Sequence, residues 1–244
     1  MARKFAQPFY TTYIILMFGA TLFIVLPFYL LLSLPKTLQS RKAMWALTRF
    51  WSRTWLLLAG MPVRVYGNFP DATRRLVLIS NHVSYLDAIV IFAILPHYFR
   101  PLAKAEIAKA PLFGFIYKQI ALLIDRSTAQ TRAKSTKMMW RTLEEECAVF
   151  IFPEGTFNET QEPMKSFHDG AFRMALKTGT PIVPIILPDT KQRWHYSHWW
   201  KIWPGRNRAY VLEPISVADY TENDVALLRE HSRALMSESS ITLQ

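Results

Sequence analysis

The chain reads as an α/β protein, with a largely parallel central sheet flanked by helices and an N-terminal membrane-associated helical segment in front of it. Three observations carry that reading. Short apolar, β-rich runs alternate with longer stretches of helical character, the order that builds parallel sheets through helical crossovers. Residues 9–34 contain no charged side chain. Two polar runs, Asn81-His82-Val83-Ser84-Tyr85-Leu86-Asp87 and Phe152-Pro153-Glu154-Gly155-Thr156, begin where apolar strands end, and the carboxyl ends of strands are where open α/β sheets bind ligands.

In chain order, the uncharged segment comes first. As a helix it is about 39 Å long, enough to cross a hydrocarbon core of about 30 Å with tilt. It is too long for the core of a signal peptide, and no clean small-residue cleavage site follows it. Pro27 allows a kink or a re-entrant hairpin in place of a straight span. Arg3 and Lys4 precede the segment, while Lys36, Arg41, Lys42, Arg49 and Arg53 follow it, so the positive-inside rule places everything after residue 35 on the cytoplasmic side of the cell inner membrane. A shallow insertion with both ends inside satisfies the same rule. In residues 42–58, Met44, Leu47, Trp51, Trp55 and Leu58 fall within about 80° of one another at 100° per residue, with Lys42, Arg49 and Arg53 opposite. Such a helix lies in the headgroup plane, or packs on a domain with its cations in solvent.

Strands are expected at 63–66, 76–80, 121–124, 148–152, 182–187 and 210–212, and helices at 85–95, 107–119, 131–146, 170–177 and 222–237. The only division is between residues 1–59, the membrane segment and amphipathic helix, and residues 60–244, one catalytic domain; no repeat, low-complexity tract or linker interrupts them. With 244 residues, 51% of them hydrophobic, the chain can bury one substantial core beyond the membrane segment. Its single cysteine, Cys147, excludes an intrachain disulfide. No metal is expected, because His195 and His198 have no cysteine or carboxylate pair nearby.

The first polar run has chemistry of its own. Ser84 followed by Asp87 is a helix-start pattern with the apolar stretch 88–95 as the helix body, which leaves His82 in the preceding loop and Asp87 in the first turn. On a continuous helix five residues rotate by about 140°, so the two meet only because a turn separates them. An aspartate on one imidazole nitrogen fixes the tautomer and stabilises the imidazolium formed when the other nitrogen takes a proton. His82 is therefore a candidate general base, and otherwise a structural histidine at a strand end. Glu154-Gly155-Thr156 adds a carboxylate, a backbone able to approach a ligand closely, and a hydroxyl, where an ordinary turn would also fit.

Taken together, the motifs resemble those of the glycerolipid acyltransferase family, in particular its 1-acylglycerol-3-phosphate acyltransferases. The matching residues are Asn81-His82 with Asp87, the His-x4-Asp motif; Lys104 and Glu106 with Gly114; Ile124-Asp125-Arg126; Phe152-Pro153-Glu154-Gly155-Thr156; and Val183-Pro184-Ile185. They occur in the family's order across about residues 60–215. By that resemblance, His82 deprotonates the free hydroxyl of lysophosphatidic acid, which attacks the thioester of acyl-CoA or acyl carrier protein to give phosphatidic acid, and Asp87 orients the base. The resemblance further implies that Lys104 and Arg126 hold the acceptor's phosphate, with Glu154, Gly155 and Thr156 lining the acceptor side. No cofactor is expected beyond the acyl donor. The chain has no Gly-x-Ser-x-Gly elbow and Cys147 lies in a helical stretch, in keeping with a substrate that supplies the nucleophile. The net charge of +11 suits anionic lipid, the phosphates of CoA or an acidic carrier.

Two departures bear on the acceptor. Many family members continue Glu-Gly-Thr with arginine, whereas Phe157-Asn158 follows here, and His168-Asp169-Gly170 stands where relatives often place basic residues. Lys165 or Arg173 could replace the missing cation. The alternatives are an acyltransferase for another lysolipid, such as a lyso-amino-acid lipid, and a non-catalytic lipid-binding relative. Finally, residues 191–208 interleave Trp194, Tyr196, Trp199, Trp200 and Trp203 with Lys191, Arg193, Lys201, Arg206 and Arg208, a composition suited to an anionic bilayer surface. No nucleic-acid motif accompanies it, and nucleic acid is not expected as a partner.

Overall fold

The computed structural model describes residues 2–71, 75–109, 113–125 and 127–243. Its strands are β1 (Val63–Tyr66), β2 (Val77–Ser80), β3 (Phe99–Lys104), β4 (Leu122–Ile124), β5 (Ala148–Ile151), β6 (Ile182–Ile186) and β7 (Asn207–Val211), in the sheet order β1-β7-β6-β2-β5-β3-β4. From β6 to β4 every pair is parallel. β7 lies antiparallel to β6, and β1 parallel to β7, so these two run against the rest. Every residue of β2 and β6 is buried, as expected of strands covered on both faces.

β3 is the strand that the apolar pattern does not announce. A proline and two cations interrupt Phe99-Arg100-Pro101-Leu102-Ala103-Lys104, yet Phe99 to Pro101 pair with β5 and Leu102 to Lys104 with β4, the pairing passing from one neighbour to the other at the proline. β7 begins at Asn207 rather than at residue 210, because the cation at its second position is neutralised: Asp189 accepts from Arg208 Nε at 2.9 Å, Nη2 at 2.7 Å and the main-chain N–H at 2.8 Å.

Helices fill both faces. On one side lie α1 (Ala2–Ser33), α2 (Leu38–Leu58), α3 (Leu86–Ile94) and α4 (Phe113–Ile120); on the other lie α5 (Ala129–Glu145), α6 (Gly170–Thr178) and, after the short α7 (Thr190–Arg193), the C-terminal α8 (Val225–Thr242). The single helix expected over 107–119 is instead a 3-10 turn, Ala105–Lys109, followed by α4. Gly114 permits their close approach, since a Cβ there would lie 2.4 Å from the carbonyl oxygen of Ala108. α5 starts on a capping box between Thr128 and Thr131, and α6 stops at Gly179 with φ 60°.

α1 runs through Pro8 and Pro27 without a break, and the chain reverses after it, where Lys36 has φ 52° and Thr37 caps α2. The hairpin is therefore made by α1 with α2, not by Pro27 within one segment. α1 is fastened along its length: Tyr13 Oη donates to the carbonyl of Leu58 at 3.1 Å, Phe18 packs edge-on against Trp51 and Trp55, and Tyr29 Oη lies 2.5 Å from Thr48 Oγ1. α2 consequently has neighbours on two sides. Its buried stripe, Met44-Thr48-Ser52-Leu56, follows an i, i+4 spacing. Two of its cations also face protein, for Arg53 Nε donates to the carbonyl of Ala93 at 2.8 Å and Arg49 lies over the Trp45 ring. The outer side of α1 exposes Phe5, Phe9, Leu16, Phe23, Ile24, Phe28 and Leu31, continued by Leu34. Within it, Phe5–Ser33 is long and apolar enough to cross a membrane.

Candidate active site

The site is assembled where β2, β5 and β6 end. Asn81 continues the β2–β6 pairing with its side chain: Nδ2 donates to the carbonyl of Leu187 at 3.1 Å, and Oδ1 accepts from the Leu187 N–H at 2.8 Å. This fixes the point at which the chain leaves the sheet, and His82 is the next residue. The turn then brings Asp87 back to it. Asp87 Oδ2 accepts from the N–H of Val83 at 2.7 Å and of Ser84 at 2.8 Å, and lies 3.0 Å from His82 Nδ1. Its other oxygen, Oδ1, accepts from Thr190 Oγ1 of α7 at 2.6 Å. Ser84 lies one residue before the N-cap of α3, Tyr85, and its Oγ accepts from the Leu86 N–H at 3.0 Å and donates to the carbonyl of Trp194 at 2.5 Å.

Asp87 is fully buried, whereas the His82 side chain keeps 20% exposure. Four donors converge on the carboxylate, the arrangement that lets a buried charge persist. With Nδ1 held by the carboxylate, Nε2 is the nitrogen left for substrate, and no described residue is hydrogen-bonded to it. The imidazole stacks on Phe152 with centroids 3.9 Å apart and meets the tilted ring of Phe157 at 4.3 Å, so two aromatic rings hold its plane. Phe157 in turn contacts Tyr85 and Tyr196, giving the histidine an aromatic mouth.

Glu154 belongs to the same assembly through the backbone. It is 1% exposed, Oε1 accepts from the His82 N–H at 2.8 Å, and Oε2 accepts from the Lys165 N–H at 2.9 Å. Burial holds its carboxyl above the usual range, against the two N–H donors, which favour the charged form. Both oxygens are thus occupied in tying together the loops that carry His82 and Lys165. The carbonyl of His82 accepts from the Asn158 N–H at 2.8 Å, a second tie between the two motifs. Gly155 has φ 72°, and a Cβ there would lie 2.6 Å from His168 Cδ2, so the turn requires glycine on both counts.

Thr156 is exposed, and its Oγ1 accepts from Lys165 Nζ at 2.8 Å. Of the two cations proposed to replace the missing arginine, Lys165 is therefore the one beside the motif; Arg173 is engaged with Asp169 at 3.2 Å. Lys104 is exposed at the end of β3, on the same sheet edge as His82 with β5 between their strands. Arg126 lies outside the described residues. Thr190 and the aromatic mouth were not legible as site residues, although Thr190 follows β6 at its carboxyl end, the one signal that pointed there.

The tryptophan-rich stretch sits over this mouth. Trp55 stacks against Trp194, and the buried Thr11 of α1 donates to the carbonyl of Trp200 at 2.9 Å, which fastens the stretch carrying the exposed Trp199 and Trp200 to α1. Two of its five cations are occupied within the protein, Arg208 by Asp189 and Arg193 by the carbonyl of Arg206.

A parallel α/β sheet with a histidine–aspartate pair at its carboxyl edge defines a class of site, and sequence comparison gives the family. Residues 62–188 match the Acyltransferase family, just over half of the chain, and the protein belongs to it. The chain is 32% identical over 183 residues to the mouse 1-acyl-sn-glycerol-3-phosphate acyltransferase alpha, covering 73% of this chain and 64% of that protein. It is 31% identical over 173 residues to the 1-acyl-sn-glycerol-3-phosphate acyltransferase of Cocos nucifera, covering 70% and 54%. It is 27% identical over 167 residues to the Haemophilus influenzae protein of the same name, covering 67% and 68%. The match thus spans a little under two thirds of the mouse relative and about half of the coconut one. The fold resembles the crystal structure of the 1-acyl-sn-glycerophosphate (LPA) acyltransferase from Thermotoga maritima, with a TM-score of 0.78 and 21% identity over 99% of this chain and 97% of that one.

Proposed function

We propose that this protein is a membrane-bound O-acyltransferase that moves an acyl chain from acyl-CoA or acyl carrier protein to the free hydroxyl of lysophosphatidic acid, giving phosphatidic acid for phospholipid synthesis. The observation that carries this reading is the geometry of the base: Nδ1 of His82 on a fully buried Asp87, and Nε2 left open at an aromatic mouth. The names of the mouse, coconut and Haemophilus relatives agree with it. His82 Nε2 takes the proton of the acceptor hydroxyl as its oxygen bonds to the thioester carbonyl carbon. The tetrahedral intermediate then expels the thiolate by cleavage of the C–S bond, and the imidazolium returns the proton to sulfur. The thioester supplies the activated acyl group, so the reaction needs no cofactor.

Acceptor recognition is assigned to Lys104, Arg126 and the Glu154-Gly155-Thr156 turn, with Lys165 Nζ at Thr156 supplying the cation that Phe157 displaces. Membrane attachment is assigned to the outer side of α1 with Trp199 and Trp200. Because α1 is fastened to α2 from Tyr13 to Tyr29, the hairpin enters the bilayer from one side together with the catalytic domain, which brings the mouth to the lipid. The basic flanks and the cytoplasmic origin of acyl thioesters assign it to the inner face of the cell inner membrane.

The test is a matrix of donors and acceptors in detergent: acyl-CoA and acyl carrier protein against lysophosphatidic acid and lysophosphatidylglycerol carrying a lysyl ester. Preference for lysophosphatidic acid supports the proposal. Equal turnover of the lysyl lipid would remove phosphate-monoester specificity, and absence of turnover with every pair would favour a lipid-binding relative.

A further inference from the structure

A cavity of about 500 Å³ opens at the end of the molecule away from His82, between the first turn of α2, the start of β3 and one face of α5. Arg100 is in register with Val149 near the amino end of β5, whereas Glu154 follows that strand's carboxyl end, so the cavity and the base lie at opposite edges of the sheet. Arg41, Arg100, Lys134, Lys137 and Arg141 line it, against only two carboxylates. Both carboxylates are occupied. Glu146 accepts from Arg41 Nε at 2.9 Å and from Tyr98 Oη at 2.7 Å, with Arg100 Nη1 at 3.6 Å, and Glu145 accepts from Arg141 Nε at 2.7 Å. Lys134 and Lys137, one helical turn apart, make no ion pair among the described residues. The Nε of Arg100 is buried and without a partner. The cavity therefore holds unspent positive charge, that of Lys134 and Lys137, which an anion with several oxygens would satisfy.

We propose that this cavity is a second lipid site, separate from the catalytic mouth, that takes the phosphate of an anionic membrane phospholipid. The source follows from its position. Leu38, the first residue of α2, is part of its wall, and the exposed Leu31 and Leu34 stand immediately before the hairpin turn. With the hairpin in the bilayer, apolar side chains at the turn lie among acyl chains, and the cations just beyond lie at headgroup depth. This rests on the membrane insertion proposed above. α1 is 32 residues long, about 48 Å as helix, so the mouth beside Thr11 and the cavity beside the turn give two attachment points that fix the tilt of the domain on the surface.

The experiment uses the full chain in neutral detergent and titrates short-chain phosphatidylglycerol, phosphatidylcholine of the same chain length, and inorganic phosphate. The expected result is saturable binding of phosphatidylglycerol at one site, weakened about tenfold or more in Lys134→Glu/Lys137→Glu, with no saturable binding of phosphatidylcholine. Both lysines are exposed on α5, and an unchanged Tm verifies that the variant is folded. Absence of saturable phosphatidylglycerol binding, or equal binding by the variant, would overturn the site. Inorganic phosphate binding as tightly as the lipid would overturn its assignment to the membrane. Turnover of lysophosphatidic acid, measured in the same micelles, reports separately on the acyltransferase reading.

Discussion

Replacing Asp87 separates the two tasks its carboxylate performs. It supplies acceptors to the N–H groups of Val83 and Ser84, and it faces the imidazole at 3.0 Å. Asp87→Ala removes both. Two buried main-chain donors lose their acceptors, at about 1–3 kcal/mol each, or about 2–6 kcal/mol together. For a chain of this size that lowers Tm by roughly 4–24 °C. Asp87→Asn keeps the shape: its amide oxygen can take the three N–H donors, and its NH2 can donate to the Thr190 hydroxyl, which rotates to accept. Folding should change by no more than about 1 kcal/mol. The charge is gone, however, so the imidazolium formed in the transition state has no counter-ion, and kcat should fall on the order of 10³–10⁴-fold, as it does in other histidine–carboxylate pairs. The assay is thiol release from acyl-CoA in detergent, with thermal unfolding of both variants measured in parallel. An Asp87→Asn protein that folds normally and keeps more than about a tenth of wild-type kcat would refute the electrostatic role given to Asp87.

Three further outcomes follow from the same geometry. Glu154→Gln leaves either the His82 or the Lys165 N–H without an acceptor and should cost about 1–3 kcal/mol in chemical denaturation. Because burial holds the wild-type carboxyl above its ordinary value, the folded state keeps that proton longer than the unfolded one, so wild-type stability declines relative to the variant as pH rises from the ordinary carboxyl range toward the raised value. Lys165→Ala should raise KM for lysophosphatidic acid about 10-fold or more, from loss of one charge-assisted contact, while an acceptor without the phosphate monoester is little affected. Burial pushes the Cys147 thiol up to about 12, so it should resist alkylation in the folded protein, and Cys147→Ser should retain full activity.

Much of the fold could be read from the chain because strands buried on both faces are written as unbroken apolar runs, as in Val77–Ser80 and Ile182–Ile186. β3 escaped because its burial is shared between neighbours: Phe99 packs in the core while Arg100 reaches the carbonyl of Ala121, a contact that periodicity does not encode. The amphipathic arithmetic for α2 held in that the helix packs on the domain with Lys42 and Arg53 exposed, but it assumes one partner; α2 has two, so Arg49 lies over the Trp45 ring and the exposed Arg53 also reaches the carbonyl of Ala93. At the site, the His82–Asp87 contact was legible because both lie in one turn. Thr190, 103 residues from Asp87, was not, since only the meeting of β2 and β6 brings it there. The role of Lys165 depended likewise on a loop conformation that Glu154 imposes.

The most direct measurement of the central claim is thiol release by purified wild type and His82→Ala, with lysophosphatidic acid as acceptor and acyl-CoA or acyl carrier protein as donor. The account predicts release with one or both donors in the wild type and its loss in a variant whose Tm is unchanged. Release that continues undiminished in His82→Ala would remove the histidine from the chemistry and contradict the account.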